Sequence, residues 1–290
     1  MKLEPQLTPV STADAVAADV CPNCNEQLLG QYCHRCGEQR FERTRLSFKH
    51  FAVHSVQELI DIEHSKVWST FYALVFRPGF LTNEYLAGRK SRYLTPLKVC
   101  LIVFALSLFL YSIYKPVAVY DLGTMIESDD TGTWDKLIND LAEYKQMPRD
   151  VLIGSVNEKW QAYVSWSQLT NVLFFALLLQ ILYLFSKRYF AEHLIFSLHF
   201  LSFTFLSTII LWPAYILVGV KPTTASLLLG FFVAVVGMVY LFFALRIVYK
   251  QPTGLTLMKT FFLFVGSYLI ILSIMLATLI LAFASVLITS

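Results

Sequence analysis

A dense basic collar that runs straight into an apolar segment constrains this chain more than any other feature. Gly88-Arg89-Lys90-Ser91-Arg92-Tyr93-Leu94-Thr95-Pro96-Leu97-Lys98 leads into Val99–Tyr114, and cations beside a hydrophobic run mark the cytosolic flank of a membrane helix. Residues before the collar are therefore expected in the cytosol, and those after it mostly in the membrane. Composition agrees. The mean hydropathy is +0.58 and 56% of residues are hydrophobic, in clusters too long for a soluble chain of this length.

Five runs are candidates for crossing a bilayer: residues 96–114, 168–186, 194–218, 225–249 and 260–289. About 20 apolar residues, rising about 1.5 Å each, cover a hydrocarbon core of about 30 Å. Residues 1–98 hold 12 of the 23 Lys and Arg, whereas the loop 115–167 has five basic against nine acidic residues. Lys187 and Arg188 flank the third run, Lys221 alone comes after it, and Arg246, Lys250 and Lys259 sit between the fourth and fifth. Alternating basic and poor flanks place the N-terminus in the cytosol and the C-terminus outside. The expected fold is an all-α polytopic membrane protein of about five transmembrane helices, a bundle over 94–290 with an acidic extracytoplasmic loop at 115–167.

Residues 21–40 form a separate head. Cys21-Pro22-Asn23-Cys24 and Cys33-His34-Arg35-Cys36-Gly37 are two CxxC pairs eight residues apart. Each pair can turn two thiolates toward one tetrahedral ion, so a structural zinc ribbon liganded by Cys21, Cys24, Cys33 and Cys36 is expected, with a redox dithiol pair as the competing reading. Asn25 and Gly37 come directly after the knuckles, where left-handed backbone is often needed. Four thiolates close the shell, which leaves His34 solvated and argues against hydrolysis at the metal. Only Arg35 supplies fixed positive charge between Cys21 and Cys36, too little for a nucleic-acid contact. Residues 1–20 lack the basic and apolar regions of a cleavable signal and read as a disordered leader.

Between head and collar, residues 44–93 carry amphipathic patterns. Leu46, Phe48, Phe51, Val56, Leu59, Ile60 and Ile62 recur at helical spacing, as do Val67, Trp68, Phe71, Tyr72, Leu74 and Val75 before Arg77-Pro78-Gly79. Too short to span, these segments suit the membrane surface, their aromatic rings at headgroup level. A short helix over residues 80–87, closed by Gly88, precedes the collar. Arg89, Lys90, Arg92 and Lys98 can reach anionic lipid headgroups, although a topology signal alone would account for them.

Ionisable residues near the third run are the place to look for membrane chemistry. Glu192 and His199 are seven residues apart and share a helix face, with Arg188 one turn before Glu192. They could relay protons or hold an ion; alternatively Arg188 and Glu192 are interfacial and a neighbour satisfies His199. No HExxH, GxSxG or P-loop pattern is present. Trp212-Pro213 suggests a kink, Gly230, Ala234 and Gly237 suggest close helix packing, and Asn171 and Gln180 suggest interhelical hydrogen bonds.

CPNC and CHRCG eight residues apart, the RPG turn at Arg77–Gly79, EYLAGRKSRY with Pro96, EHLIFSLH at Glu192–His199 and RIVYKQ at Arg246–Gln251 occur in that order along the chain. The series resembles a bacterial family of uncharacterised membrane proteins, a domain-of-unknown-function family with a zinc-ribbon head and several spanning helices. The resemblance implies an inner-membrane location and the same four cysteine ligands, and it carries no reaction. Asn25 stands where such heads commonly have glycine. The reading is a non-enzymatic adaptor or regulator, in contact with membrane lipid, whose cytosolic ribbon binds a protein partner. The alternative is a small transporter or permease coupled to ions or protons through Glu192 and His199.

Overall fold

The computed structural model describes residues 20–40, 64–114, 121–218 and 222–288. The expected leader and the amphipathic run at 44–62 lie outside the described residues. Among the described residues ten helices come after the cysteine head: α1 (His64–Phe76), α2 (Phe80–Leu86), α3 (Pro96–Tyr114), α4 (Leu122–Glu127), α5 (Thr133–Lys145), α6 (Arg149–Ser167), α7 (Thr170–Leu182), α8 (Phe190–Val218), α9 (Pro222–Tyr249) and α10 (Thr253–Ile288). Among the described residues the only β pairing is two isolated bridges in the head.

The chain is an all-α membrane protein, and of the about five expected crossings three, or four with one bent pair, are long and apolar enough to span among the described residues. Phe190–Leu211, Gly230–Tyr249 and Thr253–Ile288 are long and apolar enough to cross. The second expected run folds only as the 13-residue α7, which becomes a spanning unit when joined to α6 across a 46° bend. Its upstream neighbour, α6, reads as polar in sequence because Arg149, Asp150, Glu158 and Lys159 break the hydropathy window. The first run forms α3, in which Pro96–Leu110 is a shorter apolar stretch.

Helix starts also move. α8 begins at Phe190 and α10 at Thr253, each earlier than the apolar runs alone indicate. Pro252 suits the position before a first helical turn, where its missing N–H leaves no bond unmade. Lys259 consequently lies inside α10 rather than in a loop. At 36 residues α10 is about 54 Å long, more than one bilayer core requires.

The centre of the bundle is the first half of α8. Ala191–Ser202 is buried on every side, touching α1, α2, α3, α7 and α9. Lipid gives such helices no hydrophobic drive to associate, so this contact rests on dispersion and interhelical hydrogen bonds. Ile195, Phe196, Leu241, Leu245 and Leu263 fill the space between helices. The turn from α1 to α2 is pressed against α9: Gly79 has φ 72°, and a Cβ there would lie 2.9 Å from the Ala244 carbonyl oxygen. Only glycine meets both demands. Tyr240 then donates to the Leu74 carbonyl at 2.8 Å, satisfying the last turn of α1.

A second core lies at the other end. Leu122, Ile138, Leu152, Val156, Trp160 and Val164 of α4, α5 and α6 pack on Leu279, Ala282 and Val286 of α10. The acidic loop is thus a folded cap that uses the far end of α10 as its fourth helix.

Candidate metal centre and the collar beneath it

The head is built twice over from one local pattern. In the first knuckle the Cys21 N–H donates to the Glu26 carbonyl at 2.8 Å and the Asn25 N–H to the Cys21 carbonyl at 3.0 Å. In the second, Cys33 N–H donates to the Glu38 carbonyl at 2.8 Å and Gly37 N–H to the Cys33 carbonyl at 2.9 Å. Asn25 (φ 60°) and Gly37 (φ 73°) take the left-handed conformation that closes each turn. The bridges Val20 to Gln27 and Tyr32 to Gln39 each close the base of one knuckle.

The four thiols converge. Cys21 and Cys36 Sγ are 3.6 Å apart, Cys24 and Cys33 Sγ 3.5 Å, and all four sulfurs lie within 4.8 Å of one another. Metal–sulfur bonds of about 2.3 Å in a tetrahedron imply sulfur–sulfur edges of about 3.8 Å, so these positions fit one ion. A disulfide needs about 2.05 Å, and all four cysteines are free. Burial raises the Cys33 thiol, but the backbone N–H groups of Arg35 and Cys36 and the neighbouring Cys24 and Cys36 thiols outweigh it and hold the thiol down at about 6. Burial raises the Cys21 thiol, and at Cys24 the lowering hydrogen bond from the Glu26 backbone is outweighed by burial and the neighbouring thiols, so the cluster by itself favours one thiolate. A metal ion would supply the charge that deprotonates the others. His34 is exposed, and Arg35 pairs with Glu26 at 3.1 Å on the surface.

The head docks on the collar through a residue that no motif flags. Glu38 is only 4% exposed, and its Oε2 accepts from the backbone N–H of Lys90 at 2.9 Å and of Ser91 at 2.8 Å. Asn23, inside the first knuckle, donates to Ser91 Oγ at 2.8 Å. The collar is held in turn from α1, where Thr70 Oγ1 accepts from Leu94 N–H at 3.0 Å and Ser69 donates to the Arg92 carbonyl at 3.3 Å.

The collar cations turn inward more than their sequence suggests. Arg89 grips both oxygens of Glu84, which raises its pKa, and Lys90 Nζ lies 4.4 Å from the Tyr85 ring centroid. Lys98 is 5% exposed, and Arg92 is the exposed member. A charged side chain that finds a carboxylate or a ring within its own fold needs no lipid headgroup to satisfy it. On the outer side of α1, Trp68, Tyr72 and Phe76 form an exposed stripe, with the Arg77 guanidinium 5.8 Å from the Tyr72 ring centroid.

Arg188, Glu192 and His199 lie on or just before α8 but serve different neighbours. Arg188 bonds Glu192 at 2.9 Å and donates to the Val248 carbonyl at 2.7 Å, so it caps the C-terminal end of α9 while pairing one turn along α8. His199 is buried, its Nδ1 3.0 Å from Thr82 Oγ1 of α2. His193, one position beyond Glu192, meets the Tyr249 hydroxyl at 2.6 Å, and Tyr249 stacks on Tyr183 at 3.9 Å. Asn171 reaches Gln168 in the neighbouring turn rather than another helix.

A profile of the family described as protein of unknown function (DUF3667) matches residues 64–108, which is α1, α2, the collar and most of α3. No curated protein and no solved structure matches the chain. The matched stretch is the support on which the head docks, and it contains Thr82, Glu84, Arg89, Lys90 and Ser91.

Proposed function

We propose that the protein is a non-enzymatic adaptor or regulator of the bacterial inner membrane, whose cytosolic head is folded by structural zinc and binds a protein partner. Four closely placed thiols suit zinc with no open coordination position, so the ion would hold a fold rather than activate water. The observation that carries the reading is the docking of Glu38 on the collar. It fixes one side of the head to the membrane base and leaves Leu29 and Tyr32, 84% and 61% exposed, on the surface of the knuckle module. Exposed apolar and aromatic side chains on a rigid support are what a protein interface uses as anchors. The aromatic stripe of α1 would rest in the headgroup layer and keep that support at the membrane surface.

The test is crosslinking and co-purification of the full-length protein from its membranes, comparing wild type with a Leu29→Ser/Tyr32→Ser double variant and with Cys33→Ser. A defined partner lost in both variants supports the adaptor. A partner retained by the double variant places binding elsewhere. Transport through Glu192 and His199 has weaker support, because Arg188 and Thr82 already engage these two side chains. Proton flux in proteoliposomes abolished by Glu192→Gln would reverse that preference.

A further inference from the structure

At the collar end of the bundle, side chains from four parts of the chain stack in a row. The Arg188 guanidinium, just before α8, lies 4.7 Å from the ring centroid of Tyr249, the last residue of α9. Tyr249 stacks on Tyr183, just past α7, at 3.9 Å, and the Lys259 ammonium of α10 lies 3.6 Å from the Tyr183 ring centroid. His193 fixes Tyr249 through its hydroxyl at 2.6 Å.

The two cations that close the row differ in what neutralises them. Arg188 pairs with Glu192 at 2.9 Å. No carboxylate pairs with Lys259 among the described residues, and a ring face leaves an ammonium charged, with N–H bonds to spare. The Tyr183 hydroxyl makes no hydrogen bond, so the ring alone positions the ammonium. Nor do the neighbouring stretches supply an acid for it. Residues 184–193 and 246–260 hold five Lys and Arg, and Glu192 is their one acidic residue.

The surroundings of Lys259 are those of a lipid contact. The apolar stretches of α8 and α9 begin at Phe190 and end at Tyr249, so the row sits where hydrocarbon gives way to headgroups. Lys259 is half-buried, and its neighbours one turn away on the same face of α10, Leu255 and Phe262, are exposed. In a membrane helix such a face meets acyl chains.

We infer that Lys259 is the headgroup site for one anionic phospholipid, its phosphate on the ammonium and its acyl chains along Leu255 and Phe262. The surplus of cations selects a lipid of net negative charge over a zwitterionic one. The collar cations Arg89 and Lys90, by contrast, are already turned to Glu84 and Tyr85.

The probes are dioleoylphosphatidylglycerol and dioleoylphosphatidylcholine, added to delipidated full-length protein in neutral detergent, with the first bound lipid counted by native mass spectrometry. Wild type should bind the first phosphatidylglycerol at least tenfold tighter than phosphatidylcholine. Lys259→Met, a change on the lipid-facing surface, should bring the two within threefold, and so should Tyr183→Leu, which removes the ring beneath the ammonium. Tyr183→Phe, which keeps the ring, and Lys187→Gln, which removes an exposed cation, should each retain the tenfold preference. Excess inorganic phosphate should not displace phosphatidylglycerol. Equal affinity in wild type, an undiminished preference in Lys259→Met or in folded Tyr183→Leu, a loss in Tyr183→Phe or Lys187→Gln equal to that in Lys259→Met, or displacement by inorganic phosphate would overturn the assignment.

Discussion

The cysteine head and the acidic cap sit at opposite ends of the bundle and solve the same problem in different ways. Each is a short polar segment that must fold outside the apolar runs. The head buries Cys21, Leu28 and Cys33 as its whole core, far too little apolar surface to offset the entropy of ordering its backbone. The cap buries residues from three of its own helices and borrows Leu279, Ala282 and Val286 from α10. One module thus depends on convergent thiolates, and the other on a helix that outruns the membrane. Ligand loss and side-chain truncation should therefore affect the two ends separately.

The largest effect should come from Cys33→Ser with Cys36→Ser. Zinc binding in such small modules is worth about 10–16 kcal/mol and is the folding free energy itself, so bound metal should fall from one per chain to none. Amide exchange should lose all protection at residues 20–40 and keep it at 191–202. Loss of protection in both places would mean that the head and bundle fold as one unit.

Next is Trp160→Ala in the cap. Trp160 is fully buried, and removing a buried tryptophan costs about 3–5 kcal/mol. Limited proteolysis should open 121–167 while the metal content stays unchanged. Glu38→Gln should be milder. It replaces a buried carboxylate that accepts two backbone N–H groups, bonds worth about 1.5–3 kcal/mol each when one partner is charged. The head should keep its metal but move away from the collar, measured as a longer distance between spin labels on Leu29 and Arg92.

The smallest expected effect is acid loosening of the cap. Asp121 caps α4, accepting from the Thr124 N–H at 2.9 Å and from the Asn157 side chain at 2.5 Å. Partial burial raises its pKa, but these hydrogen bonds outweigh that and the net shift is downward. A depressed folded value stabilises the cap above the ordinary aspartate value of about 3.9 and loses that contribution as pH falls through the folded value. Exchange in α4 should therefore rise below about pH 4, and Asp121→Asn should flatten the profile. An unchanged pH profile in that variant would remove Asp121 from the account.

How much was legible in the chain differs between these ends for a physical reason. CxxC spacing acts over three residues, so the four ligands could be named from their neighbours alone, and Asn25 and Gly37 with them. Glu38 could not, because its partners are backbone N–H groups 52 and 53 residues away, and a backbone donor leaves no mark on sequence. The cap helix α6 was hidden for the opposite reason. Its inward residues Leu152, Val156, Trp160 and Val164 recur every fourth position, but intervening charges dilute any hydropathy average. Gly230, Ala234 and Gly237 suggested tight packing. The spacing of small residues shows that no side chain fills the space, and it does not show whether another helix does.

By itself the sequence determined that the chain enters a membrane, that α-helices dominate, and that four thiols can meet at one point, because hydropathy, helical period and metal-ligand spacing are local properties of neighbouring residues. The tertiary structure alone decided that Arg89 turns to Glu84, that Arg188 caps α9, that His199 meets Thr82, and that a cavity lies among four helices. Each depends on which element lies beside which, and that is settled by packing rather than by the pattern of neighbouring residues.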